Sequence, residues 1–415
     1  MRIAIIGSGI SGLAAGWYLS RKHEVFLFEK EPRLGGHTHT VMVENGADPI
    51  PVDTGFIVHN DRTYPNLVRL LTELGVQTQP SDMSFSVSCR QTGFEYSSRG
   101  VNGFFAQRSN LLRREHYQLL AEILRFNRTA PQLLDQPGAQ SATIGDVIEK
   151  GRYRPAFTDR YLFPMASAVW SMSLDSIRSF PALTLLRFFQ NHGMLGINTH
   201  PKWKVIRHGS HSYIPLLTAP FKERIFLDAR ITSVNRQESS VTLNFHDRPA
   251  MDFDQVVFAC HGNQVLPLLK QPTDVERDIL ENFTTSRNVA TLHTDASLLP
   301  RHIRARASWN YNLGMNQAGA VAVTYSMNRL QSIKSAENYC VTLNGEDAID
   351  DAKVLRKIVC HHPLYTRVAI RAQGRWSEMS GRNRTHYCGA YWFYGFHEDG
   401  LNSALRAARA LSVEC

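Results

Sequence analysis

The alternation of apolar and polar positions predicts a strand, a helix and a second strand at the start of the chain. Arg2 to Gly7 is a short apolar run ending in glycines, Ile10 to Ser20 has helical spacing, and His23 to Glu29 is a second apolar run. Tyr64 to Leu74 reads as a helix, because Leu67, Leu70, Leu71 and Leu74 recur at three and four residues and Gly75 ends the pattern. Between Ser81 and Gly193, short strand-like pieces mix with apolar helices such as Tyr117 to Phe126 and Leu183 to Phe189. Strand patterning returns at Arg224 to Val234, Val241 to Phe245 and Gln255 to Ala259. The turn residues Asp247, Arg248 and Pro249 lie between the last two, which reads as a hairpin returning to the N-terminal sheet. Ala320 to Tyr325 and Tyr339 to Leu343 follow as strands, and His361, His362 and Pro363 as a break. Thr385 to Phe393 is the last strand and Leu401 to Leu411 an alanine-rich closing helix.

At 415 residues the chain exceeds one ordinary core, so two interleaved domains are expected. Residues 1–75, 200–265 and 375–415 are assigned to the first, 76–199 and 266–374 to the second. Hydrophobic residues at 43% and charged residues at 20% exclude a largely disordered chain. No stretch of about 18 apolar residues is present, so no helix should span a bilayer. Met1 to Leu19 is apolar but carries glycines at fixed spacing and no basic leader, and belongs to the fold rather than to a signal peptide. The net charge of +9 favours anionic partners: a dinucleotide, an acidic substrate or a phospholipid surface. Nucleic acid is not expected as a partner, since the arginines are spread along the chain and no recognition signature accompanies them. Six cysteines (Cys89, Cys260, Cys340, Cys360, Cys388, Cys415) form no CxxC and read as free thiols in a reducing, cytoplasmic setting.

Gly7, Gly9 and Gly12 form GxGxxG between a strand and a helix, with Ser8, Ile10 and Ser11 between them. Gly7 permits the tight turn, Gly9 lets backbone approach a pyrophosphate, and Gly12 lets the helix pack on the strand. The phosphates then face a helix N-terminus, where free amide hydrogens and the dipole favour negative charge. Glu29 lies at the end of the second strand, seventeen residues after Gly12, where its carboxylate can accept from both ribose hydroxyls. It would repel a 2′-phosphate, which disfavours NADP.

Glu29 and Lys30 are followed by Arg33, Leu34, Gly35, Gly36 and His37. Here the chain resembles the flavin-containing amine oxidoreductases, in which a strand-end glutamate precedes Arg-x-Gly-Gly-Arg. His37 stands in place of the last arginine, so backbone amides from Gly36 to Thr38 must carry more of the diphosphate contact. The resemblance implies non-covalently bound FAD, with Asp53, Thr54, Gly55 and Phe56 beneath the isoalloxazine, and Ile231 and Ala259 beside the adenine end. Gly395 to Leu401 resembles the family's closing flavin motif, which brings in Glu398, Asp399, Gly400 and Leu401, with Gly400 and Leu401 starting a helix. Cys388 sits in a strand-like run and is not expected to bond the flavin. Asp53 to Val58, Ala307 to Tyr311, Thr324 to Gln331, Val341 to Asn344 and Gly395 to Gly400 resemble a bacterial subgroup found with cyclopropane-fatty-acid-synthase-like methyltransferases. That implies acyl lipids and a lipid methyltransferase partner.

The implied fold is α/β with an α+β part: a Rossmann-type FAD domain interleaved with a substrate domain of mixed sheet and helices. With one GxGxxG only, the substrate itself is expected to reduce the flavin by hydride transfer. His397, Glu398 and His59 are the candidate catalytic residues. Phe396 or His397 occupies the place of a substrate-walling tyrosine of the amine oxidases. Trp170, Trp309, Tyr311 and Tyr325 either line an apolar tunnel or pack a core. The His361, His362 pair repeats at no metal-ligand spacing, so no metal is assigned. Phe104 to Arg128 combines apolar residues with five arginines and either lies on an anionic membrane, at its inner face, or docks on its own domain. The readings left open are dehydrogenation of a fatty-acyl or lipid substrate, an amine or carotenoid-type oxidase, and a non-catalytic flavoprotein partner of the methyltransferase.

Overall fold

The computed structural model describes residues 1–46, 48–135, 141–170, 174–196, 201–314 and 322–414. The N-terminal apolar runs form the centre of a five-stranded parallel sheet, in the order Ile225–Phe226, Glu24–Phe28, Arg2–Ile6, Gln255–Phe258, Thr385–Tyr387. Alternate residues of its central strands serve two cores, as a parallel sheet covered on both faces requires. Ile3 and Ile5 pack towards the helix Ile10–Leu19, while Ala4 and Ile6 pack towards a three-stranded antiparallel sheet, Ile231–Arg236, Val241–Phe245 and Met251–Phe253. The closing helix His397–Ala410 lies on the helix Ile10–Leu19 through Leu401, Ala404 and Ala408. Small residues set their approach: a Cβ on Gly400 would lie 2.7 Å from Cγ2 of Ile10.

The second sheet has seven strands in the order Val354–Pro363, Thr285–His293, Cys340–Leu343, Val323–Ser326, Trp309–Leu313, Phe85–Cys89, Phe94–Ser97. The helices Arg114–Leu133, Phe163–Trp170 and Ala182–Asn191 cover it, burying Leu119, Phe126, Leu185 and Phe189 against Val87, Tyr96, Tyr311 and Val323. Asp53 ends the strand Ile50–Asp53, which pairs with Thr40–Val43 in a small sheet of its own. Its buried carboxylate accepts from Ser210 N–H (2.8 Å) and Oγ–H (2.9 Å), from Thr40 Oγ1 (2.6 Å) and from Gln331 Nε2 (3.1 Å).

The expected fold class is the observed one, with local corrections. The run Arg224 to Val234 is two strands in two sheets, because Asp228 takes a left-handed conformation (φ 49°) and turns the chain between them. The hairpin pairs Val241–Phe245 with Met251–Phe253, and the chain then crosses into the parallel sheet. His361 to Pro363 are no break: they end the strand Val354–Pro363, where proline is tolerated because the strand is an edge. Thr385 to Phe393 is a strand only to Tyr387, since Gly389 begins a tight turn in which a Cβ would lie 2.3 Å from the Tyr391 ring. The closing helix starts at His397 rather than at Gly400 and Leu401, with the Asp399 carboxylate accepting from Phe396 N–H at 2.9 Å as its cap. The strand expected from Ala320 is described from Val323, residues 315–321 lying outside the described part. The five described cysteines are unbridged, Cys415 lies outside the described residues, and no described helix is long and apolar enough to cross a membrane.

Candidate functional site

The strand Arg2–Ile6 is followed by Gly7, whose positive φ of 105° turns the chain so that a Cβ there would lie 2.9 Å from Ala259, just past the end of the neighbouring strand. A Cβ on Gly12 would fall 1.9 Å from the Gly7 carbonyl oxygen, so only glycine lets the helix Ile10–Leu19 start against the strand end. Gly9 differs: nothing in the chain lies within 4 Å of the side chain it lacks, apart from its neighbours. That open space before the helix leaves room for a close-lying phosphate. Gly36 (φ 55°) approaches from across the loop, where a Cβ on it would lie 3.1 Å from Gly9 Cα. Glu29 is fixed at the next strand end, where its Oε2 accepts from Ser8 N–H (2.9 Å) and Oγ–H (2.6 Å) and its Oε1 from Glu31 N–H (3.0 Å).

These residues wall one end of a cavity of about 1400 Å³, larger than the roughly 300–1,000 Å³ of an ordinary small-molecule pocket and suited to a dinucleotide together with a substrate. Of the expected cofactor residues, Gly7, Ser8, Gly9, Ile10, Ser11, Glu29, Lys30, Gly36, His37, Thr54, Gly55, Phe56, Ile231 and Ala259 stand on its wall. Gly12, Gly35, Thr38, Asp399, Gly400 and Leu401 do not; they shape it from behind. Thr38 Oγ1, for instance, is hydrogen-bonded to the Tyr213 hydroxyl and, at 2.9 Å, to Nε2 of His397. His397 stacks on Phe56, ring centroids 3.5 Å apart and nearly parallel, and both face the cavity. Burial holds the His397 imidazolium well below its ordinary pKa, so the ring is neutral.

The other catalytic candidates stand elsewhere. Glu398 accepts from Asn66 N–H (3.1 Å) and Leu67 N–H (2.9 Å) and caps the helix Pro65–Glu73, off the cavity wall. His59 is buried in the strand Val58–Asn60, also off the wall, and burial lowers its imidazole to about 4. Trp170, Trp309 and Tyr325 wall the cavity, whereas Tyr311 packs under the helical layer. From the segment Phe104 to Arg128, Phe104, Leu120 and Ile123 reach the cavity, while Leu112, Tyr117 and Leu124 are exposed.

Sequence reasoning missed His261 and the tyrosines Tyr365, Tyr391 and Tyr394, all on the wall. His261 was open to discovery, because it follows a parallel strand at the carboxyl end, where such sheets place their ligands. His37, Cys360 and His362 also converge, one ligand atom from each lying within 4.8 Å of the others. Spacing along the chain gives no metal-ligating set, yet the fold brings these three residues together from two distant segments. Burial lowers His37 to about 4, and His261 and His362 to about 3, so these imidazoles are neutral.

A glycine turn before a helix N-terminus, an acid at the next strand end and stacked aromatic rings wall one cavity, an arrangement open to a dinucleotide. The chain belongs to the flavin containing amine oxidoreductase family, which it matches over residues 10–329, and is an FAD-dependent oxidoreductase. Over 36 residues, 9% of each chain, it is 61% identical to an uncharacterised protein of Methanocaldococcus jannaschii. Its fold is similar to cyclohexylamine oxidase from Brevibacterium oxydans (TM-score 0.70, 13% identity, 99% of this chain and 98% of that one). It is also similar to a putrescine oxidase (0.72, 15%, 99% of both chains) and to a fatty acid isomerase from P. acnes that produces CLA (0.70, 16%, 98% of both). At these identities the likeness is one of fold.

Asp399 yields a pH test. Burial raises its carboxyl to about 7, against the lowering effect of the Phe396 N–H bond. A carboxyl raised above its unfolded value stabilises the fold fully below about pH 4, and that contribution is lost as the pH rises through 7. In guanidinium unfolding, Asp399→Asn should therefore gain on the parent by up to about 1.4 kcal/mol per pH unit between about pH 4 and 7, and level off above. A difference independent of pH would show that Asp399 titrates normally.

Proposed function

We propose that the protein oxidises an apolar substrate, a fatty-acyl chain or a lipid carrying one, by hydride transfer to FAD. The observation that carries this reading is the far end of the cavity, walled by Phe104, Leu120, Ile123, Met165, Trp170 and Phe188. Among the described residues the only carboxylates on the wall are Glu29 and Glu31, at the nucleotide end. An ammonium group would find no counter-charge beside the apolar walls, whereas a hydrocarbon chain is stabilised by about 0.8 kcal/mol per buried methylene.

In this reading Glu29 holds the ribose, Gly9 and Gly36 leave room for the diphosphate before the helix Ile10–Leu19, and Ile231 and Ala259 flank the adenine. The segment Thr54 to Phe56, braced by His397, supports the ring from below, and the N-terminus of the closing helix offers its positive end to charge on the reduced ring. Bound FAD supplies a two-electron acceptor for hydride. The chain orients the substrate and keeps water from it with the aromatic wall. A second reading, an amine or carotenoid-type oxidase, is favoured by Tyr365, Tyr391 and Tyr394 on the wall, because aromatic faces attract cations.

The helix Arg114–Leu133 supports a reading in which the protein contacts a membrane. Its inner residues Leu120 and Ile123 wall the cavity, while Tyr117 and Leu124 on its outer side join Leu112, 92% exposed, and Val101, 77% exposed, among Arg108, Arg113, Arg114 and Arg128. This face suits peripheral attachment to an anionic bilayer that holds the substrate.

Anaerobic addition of free fatty acids or phospholipids should bleach the flavin; bleaching by amines or polyenes instead would replace the proposed substrate class. The flavin should leave in acid, giving a yellow supernatant over a white pellet, because Cys388 lies off the cavity wall and burial raises its thiol. Glu29→Ala should lower the FAD content after dialysis about tenfold, the effect of losing roughly 1.4 kcal/mol of binding; equal content would remove the carboxylate from the ribose. In flotation assays the protein should rise with phosphatidylglycerol vesicles and Leu112→Asp should not. Equal flotation of both would disprove the docking face.

A further inference from the structure

The side chains of His37, Cys360 and His362 converge at the cavity wall outside the roles proposed above for the flavin site. Cys360 and His362 are two residues apart on the edge strand Val354–Pro363, so strand alternation puts both on one face. His37, next to Gly36 in the turn that faces Gly9, comes to meet them: its ring lies 5.4 Å from that of His362 and 5.9 Å from that of His261. Among the described residues, Nε2 of His37 is buried with no hydrogen-bond partner, an arrangement that is unfavourable unless something satisfies it. One ligand atom each from His37, Cys360 and His362 lies within 4.8 Å of the others.

We propose that a divalent transition-metal ion, with zinc as the type, binds between His37, Cys360 and His362. Two imidazole nitrogens and one thiolate are the donors that borderline-soft ions take, in preference to magnesium or calcium. Bonds of about 2.0–2.3 Å in a tetrahedral site put donors roughly 3.5 Å apart, so the observed spread closes by small side-chain rotations. On binding, the Cys360 thiol loses its proton to solvent as the metal–sulfur bond forms, and no electrons move. With two neutral imidazoles and one thiolate the site keeps a charge of +1, and the fourth position is open to water or to His261. A fixed positive charge thereby returns beside the glycine turn, at the position where His37 has replaced an arginine of the resembling family. This last consequence rests on the FAD reading; the metal site does not.

Zinc chloride and cobalt chloride are the probes. Untagged holoprotein, stripped with a chelator, dialysed against excess zinc chloride and then against buffer, should keep about one zinc per chain. Cys360→Ser and His362→Gln should keep about tenfold less, with circular dichroism and unfolding midpoints confirming that they fold. Parent protein that holds no zinc, or variants that hold as much as the parent, would overturn the site. Cobalt should give the parent a near-ultraviolet thiolate band that Cys360→Ser lacks, and its absence from the parent would remove Cys360 from the ligands. Chelation should speed FAD release from the parent and leave Cys360→Ser unchanged. Zinc retention with unaltered FAD release would uphold the site and overturn its role beside the cofactor.

Discussion

The carbonyl oxygen of Gly7 lies 1.9 Å from where a side chain at position 12 would begin, and the rest of the site depends on that contact. Because residue 12 has no side chain, the helix Ile10–Leu19 starts flush against the strand end and its free N–H groups open onto the crevice rather than onto solvent. Ala259, just past the end of the adjoining strand, closes the same corner: it would meet a Cβ at Gly7 at 2.9 Å and one at Gly12 at 3.2 Å. The closing helix then leans on the exposed flank of the first through Gly400, against Ile10 and Ser11. Both ends of the chain thus converge on one turn. A bulkier residue at any of these glycines would displace an entire element rather than one side chain.

That convergence explains which features the sequence disclosed. The glycine turn, its strands and Glu29 are legible because they lie within thirty residues, where period and spacing are local signals. The edge strand Val354–Pro363 is not, because half its positions face solvent and its Arg356, Lys357, His361 and His362 mask the alternation that betrays a buried strand. The same holds for Glu398. Beside His397 and Asp399 it reads as part of a charged motif, and only the fold shows that its oxygens serve the backbone of Asn66 and Leu67, more than three hundred residues away. Asp228 escaped notice because a single left-handed residue leaves no periodic trace.

Neutrality is the second organising feature of the cavity. Burial strips charge from His37, His261, His362 and His397, so these rings act as stacking surfaces and lone-pair donors rather than as cations. Formal charge on the wall is concentrated at the nucleotide end, on Glu29, Lys30, Glu31 and Arg33, and at Arg230, Lys202 and Lys204. Away from these the wall turns aromatic and aliphatic. A ligand with a charged, sugar-bearing end and a flat apolar end is oriented by that gradient, with its ring directed towards the apolar chamber.

How the floor of that chamber stays in place is decided at Asp53. Three groups, Thr40 Oγ1, Ser210 N–H and Ser210 Oγ, hold one of its oxygens, while Gln331, at the end of the short helix Met327–Leu330, holds the other. The Gln331 amide also accepts from the Asp53 N–H at 2.9 Å, so the two residues grip each other at backbone and side chain. The segment Thr54 to Phe56 begins at this point. It is therefore held by Thr40, Ser210 and Gln331 at its start and by His397 through the Phe56 ring at its end. Phe56 is thus held on the cavity wall by contacts from stretches of chain near residues 40, 210, 331 and 397, and its ring shifts only if several of these give way together.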